Sequence, residues 1–230
     1  MTAPEIDVVR HPRARRAKLS VDPVTGAVRL TLPPRAALAP ALTWARGQGA
    51  WIDRQRAAMP DARPFVHGAT LPFDDGELTV HWSHDAGRSV RRDGDRLVLG
   101  GDPETVARRV EGWLRREALR LLSEDTAHYA ARAGVMVSRV AIGDARGRWG
   151  SCASSGVIRY SWRLALAPRA VRRATAAHEV AHRVHMNHSP QFHALVAVLY
   201  GRDPAPERRW LRTHGATLHW FGRTVGSPRG

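Results

Sequence analysis

Five residues, His178-Glu179-Val180-Ala181-His182, constrain this chain more than any other stretch of it. Positions four apart stack on one face of an α-helix, so as a helix the run presents two imidazoles to one point and sets a carboxylate one step round from them. A tetrahedral metal ion can take that pair as two of its ligands. Glu179 then stands beside the ion's open side, where a general base is needed to draw a proton from water.

A hydrolytic site of this kind needs a third protein ligand. His188 follows His182 by six residues and extends the pattern to H-E-x-x-H-x-x-x-x-x-H. At that spacing the chain has to leave the helix before the last histidine. Asn187 is the residue expected to make that turn, because Asn tolerates left-handed backbone better than most. His185 competes with His188, since it lies seven after His178 and three after His182 on the same stripe. Three ligands along one straight helix would span about 10 Å at a rise of about 1.5 Å per residue, too far for one tetrahedral ion. His188 is therefore the expected third ligand and His185 a neighbour of the site. Cys152 is the only cysteine, so a Cys-rich zinc finger and an intrachain disulfide are both excluded. The expected ion is Zn2+ held by His178, His182 and His188, with Glu179 as the catalytic residue. Cys152 reads as a small buried thiol rather than a nucleophile, and His193, His214 and His219 read as surface or packing residues.

With 230 residues, 43% of them hydrophobic, the chain can bury the core of one large or two small domains. It has no apolar run of the roughly 18 to 20 residues that a membrane span needs, and Glu5 and Asp7 stand where a secretion signal would be basic and then apolar, so a cytoplasmic protein is expected. The net charge is +15, and of the 36 basic residues Lys18 alone is lysine. An Arg-rich solvated surface that associates loosely with polyanions explains this balance better than a dedicated nucleic-acid interface.

Alternating apolar residues predict a hairpin over 18–32 around Asp22-Pro23-Val24-Thr25-Gly26. A helix over 36–58 follows, weakened at Gly47 and Gly49, with Leu42, Trp44, Trp51 and Ile52 as its buried positions. Strands are expected at 77–82 and at 89–99, the second folded at Asp93-Gly94. Gly100-Gly101-Asp102-Pro103 marks a boundary, and Asp102 and Pro103 suit the cap and first position of a long helix closed by Gly134. Strands at 135–142, 148–152 and 157–166 precede the helix of the metal motif, 168–186; Ser189-Pro190 opens another to Tyr200, and a last one covers 206–218. The expected fold is α+β: a β-rich N-terminal domain, 1–101, with one helix, then a catalytic domain, 102–230, with a small sheet and the H-E-x-x-H helix.

The ordered set Arg148-Trp149-Gly150-Ser151-Cys152, Ser161-Trp162-Arg163-Leu164, Leu166-Ala167-Pro168, His178-Glu179-Val180-Ala181-His182 and Met186-Asn187-His188-Ser189-Pro190 with Phe192 resembles the YgjP-like zinc-metallopeptidase domains, zincin relatives of the SprT-like proteins. The D-P-x-T-G hairpin, W-I-x-x-Q at 51–55 and W-L-x-x-H-G at 210–215 extend the likeness over nearly the whole chain. The resemblance implies a zincin-like fold and a peptide or protein substrate. It also implies zinc on His178, His182 and His188, Glu179 as acid and base, and a strand at Trp149 to Cys152 bordering the cleft, where an extended peptide can pair by β-addition. With Arg148 this strand makes up the expected substrate contacts. Arg148, Tyr160, His185 and His214 are the candidates for stabilising the oxyanion. His185 stands where the family usually has an acid, and His193 where it has Trp. The SprT-like relatives suggest nucleic-acid association as an alternative. A non-enzymatic zinc-stabilised module is another.

Overall fold

In the computed structural model, which describes residues 5–224, the chain is α+β, and contacts separate it into two compact units that divide after Asp61. In the first unit, β1 (Ile6–Arg10), β2 (Lys18–Val21) and β3 (Val28–Leu32) form a sheet in the order β1-β3-β2, with β1 parallel and β2 antiparallel to β3. The expected hairpin is there: Asp22 Oδ1 accepts from the backbone N–H groups of Val24 and Thr25, both at 2.8 Å, and Gly26 takes φ +68° to complete the reversal. The expected single helix is two, α1 (Leu38–Arg46) and α2 (Gly49–Ala57), broken at Gly47 and Gln48, beside the two glycines that weaken the stretch. Ile52 is buried as expected, but Trp44 is 46% exposed; Leu30, Leu32 and Ala45 make the core instead.

The second unit begins at Ala62, and position 101, where the sequence suggests a domain boundary, falls inside it. Strands β4 (Thr70–Phe73), β5 (Gly76–Trp82), β6 (Arg91–Asp93) and β7 (Arg96–Leu99) form a sheet in the order β4-β5-β7-β6. Its apolar face, with Leu78, Val80, Leu97 and Leu99, shares one core with the helix α3 (Val106–Ala133). Phe73 meets Trp113 of α3 at a ring separation of 5.3 Å. Asp102 caps a short 3-10 turn over Pro103–Thr105 that leads into α3, and Gly134 ends the helix at φ +65°.

A second sheet has the order β8-β10-β9, from β8 (Arg139–Gly143), β9 (Gly150–Cys152) and β10 (Val157–Ser161). β10 runs parallel to β8 and antiparallel to β9, which leaves β9 at the edge. The segment expected to extend β10 to Leu166 is instead a 3-10 helix over Trp162–Leu166, buried throughout. Three helices complete the unit: α4 (Arg169–Ala181), α5 (Pro190–Tyr200) and α6 (Ala205–Leu218). Among the described residues no helix is long and apolar enough to cross a membrane.

Candidate functional site

Helix α4 carries His178 and Glu179 and is fixed at its start by a charge cluster. The two-residue β4–β5 turn places Asp74 and Asp75 at φ 49° and 66°, a left-handed pair that Asp tolerates. Asp75 Oδ1 accepts from the Arg169 backbone N–H at 2.7 Å, one of the donors that the first helical turn leaves open. Arg172 is buried and reaches Asp74 Oδ1 and Asp125 Oδ2 of α3, each at 2.7 Å. Burial pushes the Asp74 carboxyl up, and the hydrogen bonds from Arg169 and Arg172 more than offset it, so Asp74 stays ionised below the usual carboxylate range.

The helix ends at Ala181 rather than at 186, with His182 at its C-cap. Two further turn bonds, Arg183 N–H to Val180 O at 2.8 Å and His185 N–H to Ala181 O at 3.0 Å, swing the chain away. Ser189 then accepts from Phe192 N–H at 3.3 Å and opens α5, as its sequence suggests. This reversal returns His188 to the two helical histidines. Each of His178, His182 and His188 offers a ring nitrogen, all within 4.8 Å of one another. The Nε2 atoms of His178 and His188 are 3.2 Å apart. Two nitrogens bound to one tetrahedral ion at about 2.05 Å would be roughly 3.3 Å apart, so this pair has the spacing of two ligands, and the third nitrogen lies within 4.8 Å of both, compatible with a shared metal ion.

The protonation states fit it as well. A carbonyl can only accept, so the 3.1 Å contact between His182 Nδ1 and His185 O puts the proton on Nδ1 and leaves Nε2 with a free lone pair. His185 thus acts through its backbone, and its side chain is outside the cluster. Burial pushes His178 down to about 4, with His182 and His188 adding to it, and burial also lowers His182. Both imidazoles are neutral near pH 7, the form a metal ion requires. Beneath the three rings lies Phe192, fully buried, with ring separations of 4.9, 4.5 and 4.8 Å to His178, His182 and His188. His193 is exposed and packs on Phe192 and on the outer side of His188, at 6.2 Å from the latter.

Glu179 is 5% exposed, and burial pushes its carboxyl up to about 7, with Arg148 pulling partly the other way. Its carboxylate lies against the backbone of Gly150 at the start of β9, where a β-carbon would meet Glu179 Cγ at 2.6 Å. Trp149 beside it packs on Gly215 of α6 and on the buried ring of His219, 5.3 Å away. A cavity of about 250 Å3 opens next to His178 and Glu179, and Arg148, Trp149 and Gly150 line it; Ser151 and Cys152 continue the edge strand, half-buried. Of the four oxyanion candidates, Arg148 alone lines this cavity. The Tyr160 hydroxyl is bonded to Thr126 Oγ1 at 2.9 Å in the core, and His214 lies beside Trp210. Burial pushes the Cys152 thiol up, which disfavours its nucleophilic form.

A family model described as YgjP-like, metallopeptidase domain, matches residues 15–214. The chain belongs to the YgjP-like family. It is therefore a metallopeptidase at family level, with a metal ion and peptide or protein substrates as the family's chemistry. No curated protein and no solved structure matches the chain. Two contributors escape sequence reasoning: Phe192 under the imidazoles and Arg172 with its two aspartates; His219 is a packing residue, set behind Trp149. Phe192 stood in the motif with no chemistry attached to it. The spacing of Ser189 and Pro190, which makes it the third residue of α5, was the available signal.

Proposed function

We propose that the chain is a zinc-dependent peptidase in which His178, His182 and His188 hold the ion and Glu179 moves the proton. The observation that carries this reading is the convergence of three ring nitrogens within 4.8 Å beside a buried carboxyl pushed up to about 7. When bound, zinc supplies Lewis acidity to a carbonyl oxygen and lowers the pKa of water.

The remaining work falls to the chain's own residues. Glu179 accepts a proton from the attacking water and later delivers it to the leaving amine nitrogen, a role that suits a carboxyl whose pKa is near the working pH. Gly150 holds the carboxylate from behind and leaves it few alternative positions. The edge strand β9 has one ladder side taken by β10 and one for an extended peptide, which would pair antiparallel or parallel to it through backbone hydrogen bonds. Arg148, at the cavity, is placed to stabilise negative charge on the carbonyl oxygen.

Replacing Glu179 with Gln tests the reading. Turnover of a cleavable peptide should fall by on the order of a hundredfold to ten-thousandfold while zinc content is unchanged. Unchanged turnover would overturn the role given to Glu179.

A further inference from the structure

The cavity beside Glu179 has a composition that the proton chemistry does not require. Its walls are Val171 and Ala174 from α4, Val196 from α5 and Leu211 from α6, and its charged neighbours are two guanidinium groups, Arg148 and Arg208, and two carboxyls, Glu179 and Glu207. One Glu207 oxygen accepts from Tyr200 Oη at 3.0 Å and from Arg202, and the other is buried without a hydrogen-bond partner. With two groups of each sign at its edge, the cavity has no one charge to select for. An apolar side chain would meet apolar walls. At about 250 Å3 the space exceeds the roughly 150 Å3 that accepts a benzene ring in an engineered apolar cavity.

Resting on the peptidase reading, we propose that this cavity selects the residue beside the scissile bond, taking a large apolar or aromatic side chain such as Phe, Leu or Met. Leu211, a partly exposed wall of the cavity, is the specificity-determining residue. Burying the apolar side chain supplies the preference.

The test is calorimetric binding of uncleaved peptides Gly-Gly-Xaa-Gly-Gly, with Xaa as Phe, Leu, Trp, Ala, Lys or Asp, to the zinc-loaded full chain carrying Glu179→Gln. Phe and Leu peptides should bind on the order of a hundredfold tighter than Ala, with Lys no tighter than Ala. Leu211→Trp should bring Phe and Leu down to the Ala level, and Leu211→Ala, which opens the same wall, should move the preference toward Xaa as Trp. Equal binding across the series, a preference for Lys or Asp, or indifference to both Leu211 variants would overturn the proposal. Failure of the peptidase reading's role for Glu179 shows separately, as full turnover by the Glu179→Gln chain.

Discussion

Gly150 and Glu179 are in such close contact that a β-carbon on the glycine would lie 2.6 Å from Cγ of the glutamate. Gly150→Ala should therefore displace the carboxylate without touching the three histidines. The expected result is a fall in kcat on the order of a hundredfold, with zinc content and fold retained, measured by steady-state kinetics and metal analysis of the same sample. A Gly150→Ala chain with native kcat would show that the contact does not position the base.

Phe192 supports all three imidazoles from below and is fully buried. Phe192→Ala should cost about 3–5 kcal/mol of stability and weaken zinc binding by roughly 10- to 100-fold through loosened ring orientation. Phe192→Leu should recover most of the stability and less of the affinity. Competition with a chromogenic chelator reads the affinity, and urea unfolding reads the stability.

The Asp74 cluster makes an acid-linked prediction. Its carboxyl ionises below the ordinary 3.8 in the folded chain, so its contribution is full above that value and is lost as the pH falls through the lower folded one. Asp74→Asn should destabilise the protein by about 2 kcal/mol at pH 7, because buried Arg172 loses one of its two acids. The gap between variant and native urea midpoints should close below the ordinary carboxylate range. A gap that persists there would assign the loss to something other than charge.

His219 acts in the opposite chemical sense. Burial, with Arg163 adding to it, pushes its imidazole down from 6.5 to about 4. The fold keeps the neutral ring, so stability from this group is full above pH 6.5 and declines as the pH falls from 6.5 toward 4. His219→Phe, which keeps a ring against Trp149, should flatten the drop in Tm between pH 8 and pH 5. Equal slopes for both proteins would contradict this.

Parts of the fold and of the candidate site were legible because their signals are local. The periodic H-E-x-x-H run, the Ser189-Pro190 cap and the Asp22 turn each act over a few residues, and each forms as its chemistry suggests. The ion pairs that anchor α4 were not legible, because Arg172 meets partners 47 and 98 residues away. The mostly apolar segment Trp162 to Leu166, with Arg163 as its one charged residue, has no clear period to separate strand from helix, and it is buried throughout as a 3-10 helix. Strand β1 escaped because five residues with Asp7 as the second and Arg10 as the last carry a weak pattern; its parallel pairing with β3 and the Asp7–Arg29 ion pair at 3.0 Å supply what the pattern lacks. The end of α4 at Ala181 depended on a chain reversal, not on a glycine or proline that could be read in advance.

The most direct measurement is zinc K-edge absorption spectroscopy on the purified chain and on His188→Ala. The native protein should hold about one zinc per chain with three imidazole nitrogens at about 2.0–2.1 Å and one further light ligand, and His188→Ala should lose one imidazole from that shell along with most of the metal. A native sample without stoichiometric zinc, or a His188→Ala shell indistinguishable from the native one, would contradict the shared three-histidine site.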